Sequence, residues 1–83
     1  MEIKDCGCRI VVVDQGFVYV GQVKIAEGFV LVSNARNIRV WGTTKGLGEL
    51  KDGPTVKTIL DDCGEVLIPF GRVILFIACT KDW

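Results

Sequence analysis

The residues with the greatest chemical potential lie close together between Ser33 and Thr55. Arg36, Arg39 and Lys45 are cationic donors. Ser33, Asn34, Asn37, Thr43, Thr44 and Thr55 offer neutral hydrogen bonds, and Trp41 offers a stacking face. Gly42, Gly46 and Gly48 leave backbone N–H groups open to an anion, as nests do. Such a set suits a phosphate joined to a planar ring, that is, a nucleotide-like molecule. The candidate ligand-binding residues are Asn34, Arg36, Arg39, Trp41, Gly42, Thr43, Thr44, Lys45, Gly46, Gly48 and Thr55. Arg36 and Arg39 are three apart, so on a continuous strand they face opposite ways. Reaching one ligand together requires a kink at Asn37 or a second subunit.

The same segment has a plain structural reading. It is then a long hairpin loop whose glycines make turns, whose threonines cap backbone groups and whose Trp41 is core or subunit contact. Arg39 then lies on a solvated face or pairs with Glu49, and Lys45 is solvated. The run Thr43 to Gly48 is not a Walker loop, which places its lysine after the closing glycine. The chain has no histidine, so the usual general base is missing. Glu49, Asp61 and Asp62 are the nearby carboxylates, and no nucleophile–base pair accompanies them. We therefore expect no catalytic residues and no enzyme, with weak phosphodiesterase chemistry the one residual alternative. Asp61 and Asp62 are adjacent and are expected to serve a turn. Cys6 and Cys8 form a C-x-C pair, while Cys63 and Cys79 stand alone. Zinc sites use C-x2-C pairs or histidine partners. The expectation is four reduced thiols, no metal and no cofactor, with Cys79 buried at the end of an apolar strand.

The elements that must position these residues are short strands. Runs rich in Val, Ile and Phe alternate with Gly, Asn and Asp punctuation. Arg9–Val13 is the first run, and Asp14-Gln15-Gly16 turns the chain. Phe17–Ile25 is the second, with Gly21 marking a bend or a close backbone approach. Ala26-Glu27-Gly28 reads as a tight hairpin turn. Phe29–Val32 is the third strand, Ser33–Asn37 interrupts it, and Ile38–Trp41 is a fourth. Residues 42–54 then carry four glycines in thirteen residues, with at most a weak helical turn over Leu47–Lys51. Thr55–Leu60 resumes a strand, and Asp61–Gly64 reads as a turn. Glu65–Ile68 and Arg72–Cys79 are the last strands, and Trp83 reads as a clamp on the core or on a neighbouring subunit. The pattern predicts an all-β domain spanning residues 1–83. It is either a small, strongly bent antiparallel sheet or an Sm-like barrel of five to seven strands, with one long glycine-rich loop.

Composition narrows the partners. Ten basic and ten acidic residues cancel to a net charge of zero, which disfavours nucleic acid held by bulk electrostatics. Neutrality also leaves little repulsion against self-association, and 83 residues bury a modest core that oligomers often support. A homo-oligomer is expected. No apolar run reaches the ~18 residues of a membrane span. The stretch Met1-Glu2-Ile3-Lys4-Asp5 is charged and lacks a signal-peptide core, so a cytoplasmic location is the default expectation.

Two resemblances add to this reading. The stretch Tyr19-Val20-Gly21-Gln22-Val23 through Phe29-Val30-Leu31-Val32-Ser33-Asn34-Ala35 resembles the bent second and third strands of Sm-like RNA-binding proteins. Glu65 to Ile77 resembles their last two strands. That resemblance implies a small barrel that forms rings. The aspartate and asparagine of the Sm uridine loop have no counterpart between Ile25 and Phe29, so uridine binding does not carry over. The run Asn34-Ala35-Arg36-Asn37-Ile38-Arg39-Val40-Trp41-Gly42-Thr43-Thr44-Lys45-Gly46-Leu47-Gly48-Glu49-Leu50, followed by Gly53-Pro54-Thr55, is similar to a family of small uncharacterised bacteriophage and prophage proteins. That similarity implies a phage-encoded protein in a bacterial host cytoplasm and supplies no mechanism.

Three functions follow as expectations. The first is a non-enzymatic small-ligand binder of phage origin that holds a nucleotide-like molecule, sequestering a bacterial immune signalling nucleotide. The second is a phage structural protein or a host-protein interaction partner. The third is an Sm-like RNA-binding ring.

Overall fold

Alternating apolar residues build five antiparallel strands, all in one sheet, in the computed structural model, which describes residues 4–83. The opening residues 1–3 of the charged stretch noted above lie outside the described residues. The strands are β1 (Lys4–Val13), β2 (Val18–Ala26), β3 (Phe29–Val40), β4 (Ile59–Pro69) and β5 (Val73–Ala78). Their spatial order is β4-β3-β2-β1-β5. Short 3-10 turns occupy Asp14–Gly16, Leu47–Asp52 and Phe70–Arg72. Of the two expected architectures, the bent sheet is the one formed; it does not close into a barrel.

Five strands form, within the expected five to seven, because two breaks between the apolar runs are bridged. Ser33–Asn37 does not end a strand; β3 runs through it as a bulge. Asn34 takes φ 52° there, a left-handed conformation that Asn tolerates better than most residues. Asp61–Gly64 is likewise not a turn. It lies inside β4, with Gly64 at φ 72° absorbing a register shift against Ala35 and Arg36. Residues 55–58 are the converse case: a strand is expected over Thr55–Leu60, but β4 starts only at Ile59.

The bulge in β3 changes which face each residue occupies. Val30, Val32 and Ala35 share one buried cluster with Val11, Val13, Val23 and Ile68. The step from Val32 to Ala35 is odd, so one residue has been inserted into the two-residue alternation. Ile38 therefore points to the opposite side, where Cys8, Ile10, Val18, Val20 and Leu50 form a second cluster. Gly21 faces this bulge across the β2–β3 pair. A Cβ at Gly21 would lie 2.7 Å from Val32 Cγ1 and 2.8 Å from the Ser33 carbonyl. The close backbone approach expected at Gly21 is thus present.

The sheet curls around the first cluster. Val66 and Ile68 of β4 pack there together with Val73 and Phe76 of β5, although these are the two outermost strands. The connection between them is the three-residue turn Phe70–Arg72, so the two edges meet at that end. The second cluster lies on the outer face and is covered from outside the sheet by Leu47, Leu50 and Trp83. The glycine-rich segment thus brings Leu50, fully buried, onto the outer face.

Candidate functional site

The loop between β3 and β4 satisfies most of its own hydrogen bonds. The Thr55 hydroxyl donates to the Gly42 carbonyl at 2.7 Å, and the Thr58 hydroxyl donates to the Trp41 carbonyl at 2.7 Å. The Thr55 N–H donates to the Thr58 hydroxyl at 2.8 Å. The Thr44 hydroxyl and the Lys45 N–H both donate to one Glu49 carboxylate oxygen, each at 3.2 Å. Thr44 and the Lys45 N–H are thus taken up by the loop's own carboxylate, and a phosphate there would have to compete with it. Gly42, at φ 65°, is pressed against the Lys57 backbone. Gly46 and Gly48 border open space.

The expected site residues therefore separate into three groups. Trp41 is 42% exposed, so it is not core; it sits with Gly42, Thr43, Thr44, Lys45, Gly46, Gly48 and Thr55 in the self-bonded loop. Arg39 forms an ion pair with Asp61 at 2.9 Å, and not with Glu49. Asn34 and Arg36 go elsewhere. They line a cavity of about 430 Å³ together with Ala35, Asp62, Gly64 and Trp83. That volume lies within the range of about 300–1,000 Å³ common to small-molecule sites.

This cavity is built by the two irregularities of the sheet. The β3 bulge holds Asn34 and places Arg36 on the side of Ile38, facing Trp83. The guanidinium carbon of Arg36 stands 5.7 Å from the Trp83 ring centroid, a cation–π contact worth about 0.5–2 kcal/mol. Arg36 and Arg39 thus diverge, as their three-residue spacing requires. Opposite Arg36 on β4 is Asp62. Gly64 adds no side chain beside it.

Trp83 is held by the segment that carries it. The Cys79 N–H donates to the Cys8 carbonyl, and the Thr80 N–H donates to the Lys51 carbonyl at 2.8 Å. The Thr80 hydroxyl reaches the Asp52 carboxylate at 2.7 Å. This contact, with Lys51 second, holds the Asp52 carboxyl below its usual pKa. The Gln22 amide donates to Asp82. Trp83 packs against the second cluster, in keeping with the expected clamp. Its indole nitrogen is buried without a hydrogen-bond partner. Cys79 lies beside it: burial pushes this thiol up to about 12, Cys8 reinforces the shift, and Trp83 and Arg9 oppose it. At neutral pH Cys79 is therefore a thiol and not a thiolate nucleophile. All four cysteines are free. Among the described residues, no cluster of three or more His, Cys, Asp or Glu is placed to hold a metal.

Sequence reasoning passed over Asp62, Gly64 and Trp83 as ligand-site residues. Their role depends on the β3–β4 register and on where the segment after β5 lies, and neither is written in local residue pattern. No helix among the described residues is long and apolar enough to cross a membrane. No protein-family model, curated protein or solved structure matches the chain.

Proposed function

We propose that this chain is a non-enzymatic binding protein of phage origin that holds a nucleotide-like molecule in the Arg36–Trp83 cavity. The observation that carries the reading is a guanidinium placed over an indole ring in a cavity of ligand size. A guanidinium held over a ring face by a cation–π contact still has N–H groups to offer an anionic group. Asn34 adds a neutral donor and acceptor at the rim. The phage-like segment Asn34–Leu50 supports sequestration of a bacterial immune signalling nucleotide in the host cytoplasm as the biological setting. Calorimetry with a panel of cyclic and ADP-ribose-derived nucleotides tests the reading. Arg36→Ala is expected to weaken binding about ten- to a hundred-fold, the value of a charge-assisted hydrogen bond. An unchanged affinity in that variant, or no binding across the panel, ends the proposal.

A second reading, self-association or docking on another protein, is favoured by the sheet edges. β4 and β5 are edge strands, and they expose Ile59 (41%), Leu67 (61%), Ile74 (63%) and Leu75 (45%). Exposed apolar edges of this kind recruit another strand. A homo-oligomer built on them should dissociate when Leu67 or Ile74 is replaced by lysine. Analytical ultracentrifugation reads the result, and a sedimentation coefficient unaltered by both variants excludes these edges as the contact.

A further inference from the structure

The proposed ligand cavity contains a negative charge as well as a positive one. Asp61 and Asp62 are adjacent in β4, and Arg39 neutralises Asp61 at 2.9 Å. Asp62 enters none of the ion pairs among the described residues. It lines the cavity instead, directly across the β3–β4 pair from Arg36. Directly opposed strand residues have Cβ atoms about 4.5–5.5 Å apart, so one rim presents a donor group beside an acceptor group.

A purely anionic ligand meets repulsion from Asp62 wherever it approaches Arg36 closely. The pair is better matched by one flat edge that carries an acceptor beside donors. Guanine has such an edge: O6 accepts, while N1–H and the 2-amino group donate. Arginine commonly donates to guanine O6, and a carboxylate accepts from neighbouring N–H groups. Recognition of an unstacked base by an aromatic or guanidinium plane, with its edge read by hydrogen bonds, is a common mode of base recognition. Gly64 leaves the β4 side without a side chain, and nothing lies within 4 Å of where its Cβ would be.

We infer that the Arg36–Asp62–Trp83 cavity selects a guanine ring, with Arg36 on the acceptor at position 6 and Asp62 on the N1–H and 2-amino donors. The inference rests on the ligand-binding reading above and narrows it to a base class. The phosphate of such a ligand then lies away from Asp62, toward Asn34 and the cavity mouth.

Calorimetry of the full chain with guanosine, inosine and adenosine 5′-monophosphates tests it. Inosine monophosphate lacks only the 2-amino group. It should bind at least ten-fold more weakly than the guanine compound, and adenosine monophosphate should bind more weakly still. Asp62→Asn should erase the guanine preference while thermal melting stays unchanged, since Asp62 is exposed. The indole N–H resonance of Trp83 should shift on titration with the guanine compound in both proteins. Equal affinity for the guanine and inosine compounds overturns the inference, as does a preference that survives Asp62→Asn. Failure of the guanine compound to bind overturns it too. In each case the ligand-binding reading is judged separately, by whether any member of the wider panel binds in an Arg36-dependent way.

Discussion

Leu50→Ala is expected to cost about 2–5 kcal/mol of folding stability, the range for truncating a fully buried leucine. Leu50 has no exposed surface and belongs to the cluster of Ile10, Val18, Val20 and Ile38. Those neighbours project from strands, whose backbone cannot collapse into the space left behind, so the void persists. Leu50 also lies at the centre of a local scaffold. Its carbonyl accepts from the Gly53 N–H at 3.0 Å, and the next carbonyl, Lys51, accepts from Thr80. Loosening this turn releases the segment that carries Trp83. Urea unfolding should therefore show a lower midpoint, and near-ultraviolet circular dichroism should show a weakened tryptophan signal. A midpoint shift worth under about 1 kcal/mol would mean that the turn merely rests on the sheet.

Gly42→Ala is the second large effect, expected at about 2–6 kcal/mol from two additive causes. The residue has φ 65°, a region that costs a side-chain-bearing residue about 1–3 kcal/mol. A Cβ there would collide with the Lys57 carbonyl carbon and lie 2.7 Å from the Thr58 nitrogen. Backbone atoms cannot swing aside as a side-chain tip can, and overpacking adds about 1–3 kcal/mol. Gly48→Ala is the internal control. Its conformation is ordinary and nothing lies within 4 Å of its Cβ position, so alanine there should be neutral or mildly stabilising. Equal melting temperatures for the two variants would refute the packing argument at Gly42.

These two residues show why the loop looks like a binding loop in sequence. Thr44, Thr55 and the Lys45 N–H have the right chemistry for an anion, but here they bind the loop's own Glu49 carboxylate and Gly42 carbonyl. Local composition cannot distinguish a polar group offered to a ligand from one consumed within three to seventeen residues. The strands themselves are legible, because period-two alternation is local: β2 and the Glu27–Gly28 hairpin lie within one residue of where the pattern puts them, while β1 contains the expected Arg9–Val13 but begins five residues earlier, at Lys4. Strand ends are less so. Polar residues at Ser33–Asn37 and Asp61–Gly64 imitate turns, yet each stretch stays paired because bulges absorb the mismatch. Two of the candidate site residues, Asn34 and Arg36, come together in one cavity. Their partners Asp62 and Trp83 are 26 and 47 residues beyond Arg36 in the chain, a separation that only tertiary register resolves.

The bulge at Asn34 and Ala35 has a meaning for how the chain tolerates change. Before it, the even-numbered positions of β3 face the first cluster; after Ala35, the even-numbered positions face the second. The stretch therefore works as a phase marker, and what it encodes is a count as much as a composition. Substituting Asn34 alters one exposed side chain, whereas deleting one residue there would restore the simple alternation. Ala35 would then follow Val32 by two, so Val30, Val32 and Ala35 would keep one face and Arg36 and Ile38 the other. Flattening the bulge with the residue count unchanged is the greater change, because it would turn Arg36 toward Val30 and Val32 and take Ile38 from beneath Leu50.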